Sequence, residues 1–401
     1  LSSHDSWRDK SLWFHGVNED YGSFDPTPEA QAKVDELIRG IDDPMRKIAV
    51  LTHWVADNMR YSGISMGKGE GYTLHNTRTN FTDRCGVCKD KAALLISMLR
   101  MAGFEAYPAM TMAGSRIEAI PADHFNHCVA VVKLGDGTYM PLDPTWVPFS
   151  RELWSSAEQQ QNYLPGIPEG SDLCLTPLSA PENHYFRIKA ASRLDANGKI
   201  TGSFTVEAEG LSDASARRPF TTGMRARVRA AIERELLNIS PQARLLSYDA
   251  GKNPADYQQG PLSMTVRFEI PDYAAVGDGV MICQPIVKTG LYNSIYTFLR
   301  VSLTPETRRY AFKDSTSRLV ELDESITLPA GYTLVGKPYE AEVGGQTVNY
   351  EGSCSQSGAT LHLQQRISLG KRVYDAADWT QFRESVLGFK EINDLVFEKS
   401  E

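Results

Sequence analysis

Between Arg84 and Gly103 the chain reads RCGVCKDKAALLISMLRMAG, and this block limits the possible folds more than any other. Ala92, Leu95, Leu99 and Ala102 recur at steps of three and four, flanked by Leu94, Met98 and Met101. That spacing predicts a helix with a wide apolar face that must be covered. Gly103 supplies the stop. The helix begins at or near Cys88, which sets a thiol among the unpaired N–H groups and the positive dipole end of a helix entrance. A sulfur so placed is biased toward the thiolate, its nucleophilic form.

The flanking segments have different periods. Thr27-Pro28 is a helix start and Gly40 its stop, predicting a helix over about 28–39. Asp43-Pro44 repeats the signal, and Ile48, Leu51, Val55 and Met59 predict an amphipathic helix to about Arg60. Ser62 to Asn80 is rich in glycine, threonine and asparagine and reads as loop. Past Gly103 come short β-like runs at Ala106–Thr111, Cys128–Lys133 and Tyr139–Leu142, the last two joined by a turn at Gly135-Asp136-Gly137.

From about His184 strands dominate. Phe186–Leu194 and Ile200–Ala208 flank the hairpin signal Asn197-Gly198, with further strands at Leu262–Ile270, Arg318–Leu328 and Thr360–Ser368. One helical stretch is expected at about Met224–Leu237, and Trp379, Phe382 and Val386 mark a closing helix. The expected fold is α+β, with a first domain over 1–180 and a β-rich, sandwich-like region over 181–401. Thr304-Pro305 offers a further division of that region into 181–304 and 305–401.

The 401 residues allow two or three domains. Lysine and arginine total 42 against 50 acidic residues, a net charge of -8 with no long basic run, which argues against a nucleic-acid partner. No apolar stretch approaches the roughly 18–20 residues of a membrane-spanning helix, and no charged-then-apolar leader is present. The first residue is Leu1 rather than methionine, as expected of a processed or trimmed product. Six cysteines are too few and too scattered for a disulfide framework. Cys174, Cys283 and Cys354 read as small buried hydrophobes.

Two later blocks complete a chemical pattern: DHFNHCVAVVK at 123–133 and YMPLDPTW at 139–146. In a hairpin turned at Gly135–Gly137, His127 comes within reach of Asp143. A cysteine nucleophile needs a base that takes its proton and later protonates the leaving amine, and that base needs a carboxylate to orient it. Cys88, His127 and Asp143 fill these roles. The chemistry needs no metal and no organic cofactor.

GVCKDKAALL, FNHCVAVV and LDPTW, in this order, resemble the motif blocks of the transglutaminase-like superfamily, and RKIAVLTHWVADNMRY before them is similar as well. The likeness is to bacterial exported members with a β-rich C-terminal region, whose arginines and ITLPAGYTLVGKP phrase this chain also resembles. It implies a papain-like fold, with Cys88 as nucleophile, His127 as base and Asp143 as orienting acid. It further implies a periplasmic, cell-surface or secreted location and a protein or peptide substrate. Val87 and Cys128 depart from the family pattern without removing any of the three groups. The expected activity is attack on an amide or peptide bond, with hydrolysis preferred over cross-linking.

Four other readings compete. Cys85-Gly-Val-Cys88 has redox CxxC spacing, but HNTRTNFTDR before it is too polar for the strand such a motif needs. Cys85, Cys88, His124 and His127 have zinc-ligand spacing, yet zinc would leave LDPTW without a role. GISMG around Ser65 mimics a nucleophile elbow in the wrong context, following a helix and preceding a glycine-rich loop. The last alternative is a non-catalytic surface binding protein built on the same scaffold. Asp90, in the first turn of the helix, reads as a dipole partner.

Overall fold

The computed structural model describes residues 4–62, 71–114, 117, 119–221, 228–251, 253–296 and 302–400. The GISMG motif and residues 224–227 of the expected helix lie outside them. The chain forms two compact units, Leu1–Pro177 and Leu178–Glu401.

The first unit is built around one buried helix. It contains α1 (Trp7–Asp20), α2 (Pro28–Leu37), α3 (Pro44–Asn58), α4 (Thr77–Asp83) and α5 (Cys88–Met101), with short strands β1 (Arg60–Tyr61) and β2 (Cys85–Gly86) before α5. After α5 come β3 (Ala106–Thr111), β4 (His127–Lys133), β5 (Tyr139–Leu142), β6 (Asn162–Pro165) and β7 (Cys174–Leu175). These five form an antiparallel sheet in the order β5-β4-β3-β6-β7.

Helix α5 is wrapped on all sides. Leu94, Leu95, Ile96, Met98 and Leu99 are fully buried, each contributing about 1.5–3 kcal/mol of hydrophobic stabilisation. Strand β4 is buried on both faces. Cys128, Ala130 and Val132 join the core around α5, while Val129 and Val131 pack with Ala109 and Tyr163 on the other side, as the two-residue period of a strand requires. Gly103, at φ 89°, ends α5 in a conformation that suits glycine.

Two helices of this unit depart from the expectation. Thr77–Asp83, expected as loop up to Asn80, is helical and capped by Asn76, whose side chain accepts from Thr79 N–H. Trp7–Asp20 is a helix capped by Ser6 that no apolar period announces, because its buried residues include Lys10, Ser11 and Asn18.

The second unit centres on one eight-stranded sheet. Its strands run in the order 244–249, 262–270, 200–208, 185–194, 318–327, 360–369, 348–357, 339–343. All pairs are antiparallel except 185–194 with 318–327. A four-stranded sheet that includes 280–283 and 395–399 shares its core, as do helices 210–221, 228–237 and 379–391. Strands from both sides of Thr304-Pro305 therefore lie in one sheet over one core. The helix at Trp379–Glu391 does not close the chain, since the strand Leu395–Lys399 follows it.

Candidate active site

Cys88 is the first residue of α5, and a backbone cap built from Asp90 fixes the approach to it. The Asp90 Oδ2 atom accepts the Val87 N–H at 2.8 Å, and Oδ1 lies 2.6 Å from His75 Nδ1. Asp90 is buried against Gly86, where an added Cβ would meet Oδ2 at 2.5 Å. The GVCKD spelling is therefore a steric unit: glycine makes room for the aspartate, and the aspartate holds the turn that presents the cysteine. Strand β2 pairs in parallel with β1, aligning Tyr61 with Gly86.

His127 opens β4, and Asp143 follows β5 directly. The antiparallel register sets Ala130 opposite Leu142, which brings the two side chains together at the open end of the pair. His127 Nε2 lies 2.9 Å from Asp143 Oδ2, and both residues are buried. Asp143 Oδ1 accepts the Thr145 N–H at 2.8 Å. With Nε2 so engaged, the other ring nitrogen is left for the hydrogen bond between His127 and Cys88.

The electrostatics follow from these contacts. Burial alone would raise the Cys88 pKa, but the hydrogen bond and charge of His127 outweigh it, helped by the backbone N–H groups of Cys128 and Lys89, and the net shift is downward. Burial likewise acts to lower the His127 pKa. Its hydrogen bonds to Asp143 and Cys88, with the charges of Asp143 and Glu158, carry it up to about 10. This is the pattern of a thiolate–imidazolium pair.

Two side chains of this site give no signal in the sequence pattern. Lys91 is buried one turn beyond Cys88 and donates to the Ala56 and Met59 carbonyls, each at 2.9 Å. Burial lowers its pKa to about 8 against the opposing charges of Asp143 and Asp57. Glu158, in the single 3₁₀ turn Ser156–Glu158, is buried with an oxygen in one group with His127 and Asp143, all within 4.8 Å of one another.

The zinc-type set does not assemble: among the described residues, Cys85, Cys88 and His124 join no such cluster. Nor do Cys85 and Cys88 approach as a redox pair. Cys85 lies in β2 and Val87 is extended, at φ -97° and ψ -171°. Both thiols are free. Cys128 points into the core behind β4. Tyr61 and Trp146, 54% and 55% exposed, stand beside the cysteine and the histidine. The Trp146 and His127 rings meet edge to face at 6.3 Å and 83°.

A papain-like helix-and-sheet arrangement with cysteine, histidine and aspartate in contact defines the class. Residues 31–144 match the Transglutaminase-like superfamily, and the first unit is a transglutaminase-like domain. Residues 284–394 match a domain of unknown function with a solved structure (DUF3858). No curated protein matches the chain. Among solved structures, a candidate protease from Parabacteroides distasonis is similar over 99% of this chain at 13% identity and a TM-score of 0.57. This chain spans 59% of that protein's length. A candidate cysteine protease from Cytophaga hutchinsonii aligns with 31% of this chain and 39% of its own, at 21% identity and a TM-score of 0.26.

Proposed function

We propose that the chain is a cysteine-dependent acyl-transfer enzyme that attacks an amide or peptide bond, with Cys88 as nucleophile, His127 as base and acid, and Asp143 as the orienting carboxylate. The observation that carries this reading is the continuous hydrogen-bonded line from Cys88 through His127 to Asp143 at a helix entrance.

The Cys88 thiolate adds to the carbonyl carbon, forming a C–S bond while the carbonyl π pair moves onto oxygen. N–H groups at the start of α5 face the developing oxyanion. The intermediate collapses, the C–N bond breaks, and the imidazolium of His127 gives its proton to the departing amine. Water, deprotonated by the now neutral His127, then releases the acyl group as acid and regenerates the thiolate. An amine in place of water would give a cross-link. Hydrolysis is our reading, with a protein or peptide as substrate. The exposed Tyr61 and Trp146 offer flat apolar surfaces beside the cysteine and the histidine. A periplasmic, cell-surface or secreted location belongs to the same proposal and rests on the family resemblance.

The test is a library of unblocked and amide-capped peptides analysed by mass spectrometry, with and without an added primary amine. Cleavage or loss of ammonia that disappears in Cys88→Ala supports the reading. Amine incorporation outrunning hydrolysis would reverse the preference for water. A Cys88 that alkylates no faster than Cys174 would leave the binding-scaffold alternative in its place.

A further inference from the structure

The loop Ser155–Gln161, SSAEQQQ, hides polar side chains where loops usually expose them. Ser155, Ser156, Glu158, Gln159 and Gln161 are each no more than 5% exposed. Burying so many polar groups is costly unless each is matched, and the chain holds them in place with several constraints. Glu158 N–H donates to the Ser155 carbonyl at 2.9 Å. Thr176 Oγ1 donates to the Glu158 carbonyl at 2.6 Å and accepts the Gln161 N–H at 2.8 Å. Gln160 adopts φ 53°, a left-handed conformation uncommon for a residue other than glycine. The outcome is that the carboxylate of Glu158 reaches the buried His127 and Asp143, with ligand atoms of all three within 4.8 Å.

We propose that Glu158 is a second carboxylate partner of His127, a positioning residue that acts through the imidazole and not on the substrate. The inference rests on the catalytic reading of Cys88, His127 and Asp143. When the Cys88 proton moves to the ring, the positive charge forms inside the protein, where water cannot solvate it. The groups facing that charge are Cys88 from α5, Asp143 after β5 and Glu158 from the 3₁₀ turn, with the Trp146 ring edge-on. The ammonium of Lys91 lies behind, acting on Asp143. A lone Asp143 would have its charge divided between the imidazolium and Lys91. Glu158 restores the balance, keeping the ring protonated to higher pH and ready to protonate the leaving amine.

The experiment is a ring-nitrogen NMR titration of His127 in the full chain, comparing wild type with Glu158→Gln and Glu158→Asp, alongside iodoacetamide labelling of Cys88. Removing a negative charge beside the imidazolium lowers its midpoint. Glu158→Gln should shift it down by about one unit or more, and Glu158→Asp, which draws the charge back by one methylene, by less. If the glutamine variant does not fold, the aspartate variant decides. An unchanged His127 midpoint in a folded variant overturns the proposal, including the case where Glu158 is already neutral. A midpoint that shifts while wild-type Cys88 shows no labelling at about pH 6 upholds Glu158 as partner of the ring and overturns the catalytic reading instead.

Discussion

His127 Nε2 and Asp143 Oδ2 lie 2.9 Å apart with the carboxylate fully buried, so Asp143 fixes the orientation of the imidazole and supplies it with a directly hydrogen-bonded counter-charge. Asp143→Asn keeps the shape and removes the charge, and its amide can present N–H to Nε2. Turnover of any active peptide should fall by about 10²–10⁴-fold. Because the His127 pKa is raised largely through this partner, the alkaline limb of the pH–rate curve should also move to lower pH. Rates from about pH 5 to pH 10 measure both, and a variant with wild-type turnover would exclude Asp143 from the mechanism.

Cys88 should be the fastest of the cysteines toward iodoacetamide at about pH 6, where an ordinary thiol is almost wholly protonated. Its pKa is lowered by His127 despite burial. Removing a neighbouring positive charge raises a thiol pKa, so labelling at this pH should drop roughly tenfold or more in His127→Ala. Cys283 and Cys354 are buried, and burial pushes both pKa values up, so they serve as slow internal standards. Peptide mapping by mass spectrometry reads all sites in one sample.

Gly86→Ala tests how the nucleophile is held. The added Cβ would lie 2.5 Å from Asp90 Oδ2 and 2.6 Å from Asp90 Cβ, so Asp90 must move and release the Val87 N–H it caps. Overpacking of this kind costs about 1–3 kcal/mol. The melting temperature should drop and Cys88 alkylation should slow together. A variant that melts like wild type and labels at the wild-type rate would show that the Asp90 cap does not position the cysteine.

The parts legible in the sequence are those where one physical rule dominates. Ala106–Thr111, Tyr139–Leu142, Ile200–Ala208 and Leu262–Ile270 carry turn residues at their ends and match the structure residue for residue. The meeting of Cys88, His127 and Asp143 is readable because a helix entrance and a short hairpin are local, and a tight turn fixes which residues face each other. Helix Thr77–Asp83 has one apolar side chain, Phe81, so its capping by Asn76 is its only sequence mark. Helix Gly210–Thr221 contains Pro219, which reads as a breaker. Lys91 and Glu158 are invisible for a different reason. Each is a charged residue turned inward by tertiary packing, and neither a periodic pattern nor a spacing encodes that.

The second unit supplies a prediction that does not depend on the catalytic reading. Glu324 sits on the core face of strand 318–327, between Leu322 and Ile326, and is completely buried. Its Oε2 accepts the Val287 N–H at 3.0 Å, while Oε1 has no hydrogen-bond partner among the described residues. Burial raises its pKa to about 7, against the lowering effect of the Val287 and Ile286 N–H groups. A carboxyl with a raised folded pKa binds its proton more tightly folded than unfolded. Its contribution to stability is therefore fully present below the unfolded value near 4.5 and is lost as pH rises through about 7. The loss amounts to about 3 kcal/mol. Glutamine at this position cannot ionise, so between pH 5 and pH 8 the stability of Glu324→Gln relative to wild type should shift in favour of the variant by up to that amount. Hydrogen exchange of the amides in strand 318–327 at the two pH values reads the difference within this unit. A gap between variant and wild type that stays constant across this range would mean that Glu324 keeps the same charge throughout.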